Sequence, residues 1–177
     1  GLADGHVQAN LAIVPAEAAA HFREFCRLNP RSCPLLEELP PGERHTRVLA
    51  DGADLATCLP RYRVWRDGVL AEVACDVRHV WRDDLCAYLL GCSFSFEAAL
   101  QAAGIRMRHV DERKNVPMYR TNRPCEPGAA CLAAPAPGLS PRACTSRPHD
   151  LIAFDAQRGR SPAPWSCPCG RCCLATC

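Results

Sequence analysis

The stretch NLAIVPAEAAAHFREFCR, residues 10–27, joins two kinds of pattern at a proline. Asn10 to Val14 form a short apolar run of strand type. Pro15 follows where the first turn of a helix tolerates it, since its missing N–H has no partner inside a helix anyway. From Ala16 to Arg27 the spacing predicts a helix, with Ala18, Phe22, Phe25 and Cys26 on one side at i, i+4, i+7 and i+8. NPRSCP, residues 29–34, ends it, because Pro30 and Pro34 cannot continue a helix. A strand running straight into a helix is a unit of mixed α and β architecture.

The pattern extends outward from there. In RYRVWRDGVLAEVAC, residues 61–75, the strand formers Tyr62, Val64, Val69 and Val73 flank Asp67-Gly68. Asp-Gly between apolar runs predicts a hairpin, because glycine adopts positive φ without a steric cost. WRDDLCAYLLG, residues 81–91, reads as a helix with acids in its first turn. FSFEAALQAAG, residues 94–104, reads as a second helix that Gly104 stops. IRMRHV, residues 105–110, alternates and reads as a strand. The expected fold class is α/β, a mixed domain followed by an irregular C-terminal tail.

Composition puts a boundary near residue 124. Up to that point 16 basic and 16 acidic residues balance, so no basic face suggests nucleic acid. No apolar run approaches the roughly 18 residues a membrane span needs. Ten valines lie in 1–124 and none in 125–177, where Ala, Pro, Cys, Arg and Gly dominate without a 3.6 or 2.0 period. Such a segment has too few large apolar residues to offset the entropy of ordering it, and it is expected to be disordered. The expected domains are thus an incomplete folded unit over 1–124 and a tail over 125–177. The 14 cysteines divide likewise. Six lie scattered between Cys26 and Cys92, as in a reduced cytoplasmic protein, and eight lie from Cys125 onward.

Chemistry-bearing residues cluster in three places. GCSFSFE, residues 91–97, puts Cys92, Ser93, Ser95 and Glu97 just after a glycine that permits a sharp turn. Amides and hydroxyls at a helix start hold carboxylates, and Cys92 is a candidate nucleophile where a base lowers its pKa. The competing reading is a helix–helix turn with capping serines and a buried thiol. NVPMYRTN, residues 115–122, gathers Asn115, Tyr119, Arg120 and Asn122, with Arg120 suited to fork a substrate carboxylate; the competing reading is a polar loop. Gln8 and Asn10 place two amides ahead of the first strand, to recognise a polar ligand or to satisfy backbone groups. The six histidines make no H-x-x-x-H pattern, and His79 and His109 read as ordinary surface or strand residues. No phosphate loop, G-x-S-x-G elbow or dinucleotide fingerprint occurs. The tail spacing C-x-C-x-x-C-C resembles zinc ligation only superficially, so neither metal nor cofactor is expected.

GHVQANLAIVP, FCRLNPRSCPLL, LPRYRVWRDG, LLGCSFSFEAALQAAGI and NVPMYRTN, in this order, resemble the D-glutamate cyclase-like family of hydro-lyases over nearly all of residues 1–124. Family members carry a helical stretch ahead of the first block, and segments like PLVVSMRP, TSR and HGxPVH after the last. Read one nucleotide out of frame, PAPGLSPR, DLIAF and PWSCPCGRCCLA yield family-like segments in the family's order. This places a frameshift near Pro127 or Gly128 and makes the chain a fragment whose tail cysteines are out-of-frame readings.

The resemblance implies a lyase that eliminates water from a small amino or hydroxy acid, with D-glutamate to 5-oxo-D-proline as the specific case. Such chemistry needs a carboxylate clamp, an acid/base and a donor for the departing oxygen. The assignments made on the matching blocks are Arg120 as clamp, Glu97 as acid/base, and Ser93, Ser95, Asn115 and Asn122 as orienting donors. Cys92 is a lesser nucleophile candidate, and Tyr119, Gln8 and Asn10 complete the substrate-binding set. The expected partner is a small molecule, with neither nucleic acid nor membrane. The alternatives are a binding module without turnover, or a truncated product without function.

Overall fold

The computed structural model describes residues 5–113 and 124–128, and the backbone of residues 151–154. The chain runs β1 (Ala9–Pro15), α1 (Ala16–Leu28), β2 (Leu35–Leu39), β3 (Tyr62–Arg66), β4 (Val69–Ala74), β5 (Leu85–Gly91), α2 (Phe94–Ala102), α3 (Arg108–Asp111) and β6 (Leu151–Phe154). One six-stranded sheet orders them β2-β5-β1-β6-β3-β4, with antiparallel pairing throughout. The fold is mixed α and β.

β1 and α1 follow the pattern of residues 10–27. Pro15 caps α1 in extended conformation, and the Ala16 amide donates to the Asp84 carbonyl, which ties the helix start to the entrance of β5. The hairpin also forms as expected. Asp67 and Gly68 both take positive φ, 50° and 76°, as a two-residue turn of type I′ requires.

The largest departure from expectation is β5, since residues 81–91 contain a strand rather than a helix. The cause is that both faces of this strand are covered. Leu85, Ala87 and Leu89 enter the larger core with Leu11, Ile13, Leu39, Leu55 and Tyr62, while Cys86 and Tyr88 face α1 with Val14, Ala18 and Ala19. A strand buried on both faces reads as a continuous apolar run, which carries no period of two. Tyr88 then anchors α1. Its ring meets Phe22 edge-on at 4.9 Å, and its hydroxyl donates 3.0 Å to the Ala19 carbonyl.

IRMRHV is the second departure. It forms no strand, and its last residues open α3 instead. Ile105 and Val110 stay about half exposed, so their alternation meets no sheet to bury against. β6 pairs with β1 and β3 and fills the slot between them, although it lies beyond residue 124. Backbone pairing needs only an extended segment, so composition does not reveal it.

A loop between β2 and β3 closes the larger core. The buried Glu37 carboxylate accepts the amides of Arg47 (2.6 Å), Val48 (3.1 Å) and Leu49 (3.0 Å). Tyr62, fully buried, donates to the Leu55 carbonyl at 2.7 Å and accepts the Leu59 amide at 3.1 Å. Among the described residues, no helix is long and apolar enough to cross a membrane.

Candidate functional site

β5 ends at Gly91, and Cys92 and Ser93 turn the chain into α2. This turn runs from a strand into a helix, not between two helices. Gly91 is needed for closeness rather than for an unusual φ. A Cβ built there would lie 3.1 Å from Pro34 Cγ, and the Gly91 amide donates 2.8 Å to the Pro34 carbonyl.

The first turn of α2 is then fixed from Gln8, the residue just before β1. The Gln8 amide donates to Ser95 Oγ at 2.8 Å, and Ser95 Oγ donates back to the Gln8 carbonyl at 3.1 Å. The Cys92 amide shares that carbonyl at 3.2 Å, and Gln8 Nε2 donates to the Phe94 carbonyl at 3.3 Å. Gln8 and Ser95 therefore hold the helix in place. Gln8 Nε2 and Ser95 Oγ each meet a backbone carbonyl across the turn. Asn10 lies on β1 opposite Leu90, half-buried.

This scaffold aims Glu97 inward. Its side chain is 6% exposed, although it belongs to the first turn of a helix whose neighbour Phe96 faces solvent. Ser93 Oγ donates to Glu97 Oε1 at 3.4 Å. Glu97 Oε2 lies 3.0 Å from Nε2 of His109, itself only 7% exposed on its side chain. The Phe94 ring stands 6.2 Å from the imidazole, tilted by 37°. A buried carboxylate requires a hydrogen-bonding or charged partner, and His109 supplies one.

His109 departs from its sequence reading as a surface or strand residue. It is brought home by the end of α2. Gly104 takes φ +78°, its amide donates to Gln101, and the Ile105 amide donates to Leu100 at 3.0 Å. This reverses the chain so that α3 returns onto α2. Nothing in the twelve-residue separation of Glu97 and His109 announces the pair. The one legible signal is Gly104, which marks the turn that makes it.

The other candidates fall as follows. Cys92 is disulfide-bonded and its Sγ lies 3.4 Å from the Phe94 amide, so a thiolate role would require prior reduction. Asn115, Tyr119, Arg120 and Asn122, and the tail cysteines from Cys131 on, lie outside the described residues. The chain just beyond the NVPMYRTN block is held against the end of α1. Asn29 Nδ2 donates to the Glu126 carbonyl at 2.9 Å, and the Glu126 amide donates to Asn29 Oδ1 at 2.8 Å. Among the described residues, no group of three or more His, Cys, Asp or Glu side chains could hold a metal ion. A shallow cleft of about 460 Å³ lies elsewhere, lined by Ala16, Ala19, Arg23, Glu38, Pro41 and Cys86. The Glu38 carboxyl is held below its usual range there, chiefly by the Arg23 hydrogen bond.

Comparison with known proteins gives a consistent result. The family described as D-glutamate cyclase matches residues 86–135, which include β5 from Cys86 on, α2 and α3. Three curated relatives share the name "Putative hydro-lyase". A Streptomyces coelicolor protein is 58% identical over 127 residues, 72% of this chain and 46% of its own. One from Bordetella petrii is 51% identical over 157 residues, 89% of this chain and 56% of its own. One from Rhodopseudomonas palustris is 50% identical over 168 residues, 95% of this chain and 60% of its own. The chain thus spans about half the length of the curated relatives it matches.

Proposed function

We propose that this chain, which belongs to the D-glutamate cyclase-like family, carries part of the site of a hydro-lyase that eliminates water from a small amino or hydroxy acid. The specific reaction proposed is D-glutamate to 5-oxo-D-proline. The single observation that carries the reading is the buried Glu97, with Ser93 on one carboxylate oxygen and His109 on the other. A buried carboxylate with a hydrogen-bond partner on each oxygen is a general acid/base held in one orientation.

In this reading Glu97 moves protons and Ser93 orients it. Ser95 and Gln8 act one step back, by fixing the turn that presents them. Arg120 clamps a substrate carboxylate through its planar fork, with Asn115, Tyr119 and Asn122 beside it. Asn10 remains a candidate contact, and Cys92 a candidate nucleophile in the reduced protein. We place the protein in the cytoplasm. We also propose a frameshift near Pro127 or Gly128, so that the frame-corrected chain is the active form and the 177-residue form is weak.

The test is chromatography of the lactam formed from D-glutamate by the two forms, with ligand-induced thermal stabilisation measured in parallel. Lactam from the corrected form supports the reading. Stabilisation by D-glutamate without any lactam supports a binding module instead, and no response to any small acid contradicts both. In the active form, Arg120→Lys raises KM more than it lowers kcat, because a lysine cannot offer a bidentate fork.

A further inference from the structure

α3 buries the wrong residue for ordinary packing. In the segment from Ile105 to Val110 the apolar Ile105 and Val110 are 51% and 49% exposed, while His109 is 5% exposed. A one-turn helix gains nothing from hydrophobic burial by this choice. What it gains is the 3.0 Å contact with Glu97.

Resting on the reading of this site as a water-eliminating one, we infer that His109 is the positioning and proton-holding partner of Glu97, and that the two together relay the two protons of the reaction one after the other. The reaction itself sets this requirement. Ring closure forms one C–N bond and breaks one C–O bond, whose electron pair leaves with the oxygen. The substrate ammonium starts with three protons and the lactam nitrogen keeps one. The other two end on the departing oxygen as water, so nothing else is consumed. A lone carboxylate carries one proton at a time. Glu97 with His109 offers two basic sites in contact. With one dissociable proton between them, the pair is net neutral whether the proton sits on carboxyl or imidazole. That neutrality of the resting pair is what permits it to stay buried, and each of the two transfers takes one proton from the ammonium and returns one to the departing oxygen.

The direction of exchange follows from the contacts. Glu97 Oε2 is turned to His109, which leaves Oε1, on the Ser93 side, to meet the substrate. Among the described residues, the ionisable group in contact with the imidazole is Glu97. On its own segment the charges pair with each other outside the site, Arg106 with Asp111 at 3.1 Å and Arg108 with Glu112 at 2.6 Å. Phe94 supplies the apolar wall.

Two measurements test this independently. The first needs no substrate. Nitrogen-resolved NMR of the 177-residue chain should show one exchange-protected histidine ring N–H that is lost in both His109→Gln and Glu97→Gln. A spectrum without it, or one unchanged by Glu97→Gln, overturns the inference whether or not the protein turns over. The second uses the frame-corrected chain. His109→Ala should lose about 10²-fold or more in kcat with KM little changed, and added imidazole should restore turnover with a pH profile that tracks the added base. Loss of activity that imidazole does not restore, in a variant that still binds D-glutamate, marks a merely structural histidine and overturns the inference. If the protected N–H is present and no chain makes lactam, the pair stands and the functional reading fails.

Discussion

At the scale of single residues, environment rather than residue type sets the chemistry. Two cysteines show it. Burial pushes the Cys26 thiol up to about 11, while Cys75 is exposed. The thiolate is the reactive form, so at pH 8 an alkylating reagent should modify Cys75 well before Cys26. Mass mapping of a timed reaction checks the order. Glu43 shows the opposite shift. The His45 amide, then the Arg47 guanidinium and the Arg44 amide, lower its carboxyl to about 2. A carboxylate depressed in the folded state stabilises it above the unfolded value near 4.5, and that contribution is lost as pH falls from there towards 2. Urea unfolding across this window should therefore show a shallower acid decline in Glu43→Gln than in the parent chain. A carboxylate at the start of a helix is usually a solvated cap, whereas Glu97 is buried and meets His109 at 3.0 Å.

At the scale of elements, the sheet and its turns decide what reaches the site. Tyr62→Phe should cost about 1–3 kcal/mol, since it strands the buried Leu55 carbonyl and Leu59 amide together. Leu89→Ala should cost about 2–5 kcal/mol, because Leu89 is 1% exposed in the middle of β5. Equilibrium denaturation reads both. How far these elements were legible depended on where their information lay. β1, α1 and the Asp67-Gly68 hairpin were readable because each is specified locally, by a period, a proline or a pair of left-handed residues. β5 was not, since Leu85–Gly91 is covered on both faces and shows no alternation. The polar cluster that contains Glu97 was legible from its neighbours Cys92, Ser93 and Ser95. His109 was not, because its partner is chosen by the reversal at Gly104 and not by any spacing along the chain.

At the scale of the whole molecule, two distant parts of the chain meet around one strand. β5 carries Gly91 to the site, α2 and α3 return the pair Glu97 and His109, and Gln8, just before β1, fixes the turn. The NVPMYRTN block follows directly after this pair in sequence, and its far flank is held by Asn29. Arg120, in that block, is proposed to clamp the carboxylate of the substrate. The central claim is that Glu97 moves the protons of water elimination. The most direct measurement is the turnover of D-glutamate by Glu97→Gln in the frame-corrected chain, with substrate binding measured alongside. The amide keeps the shape of the side chain and cannot carry the proton. The account predicts that kcat falls by about 10²- to 10⁴-fold while binding is retained. Full turnover by Glu97→Gln would contradict it.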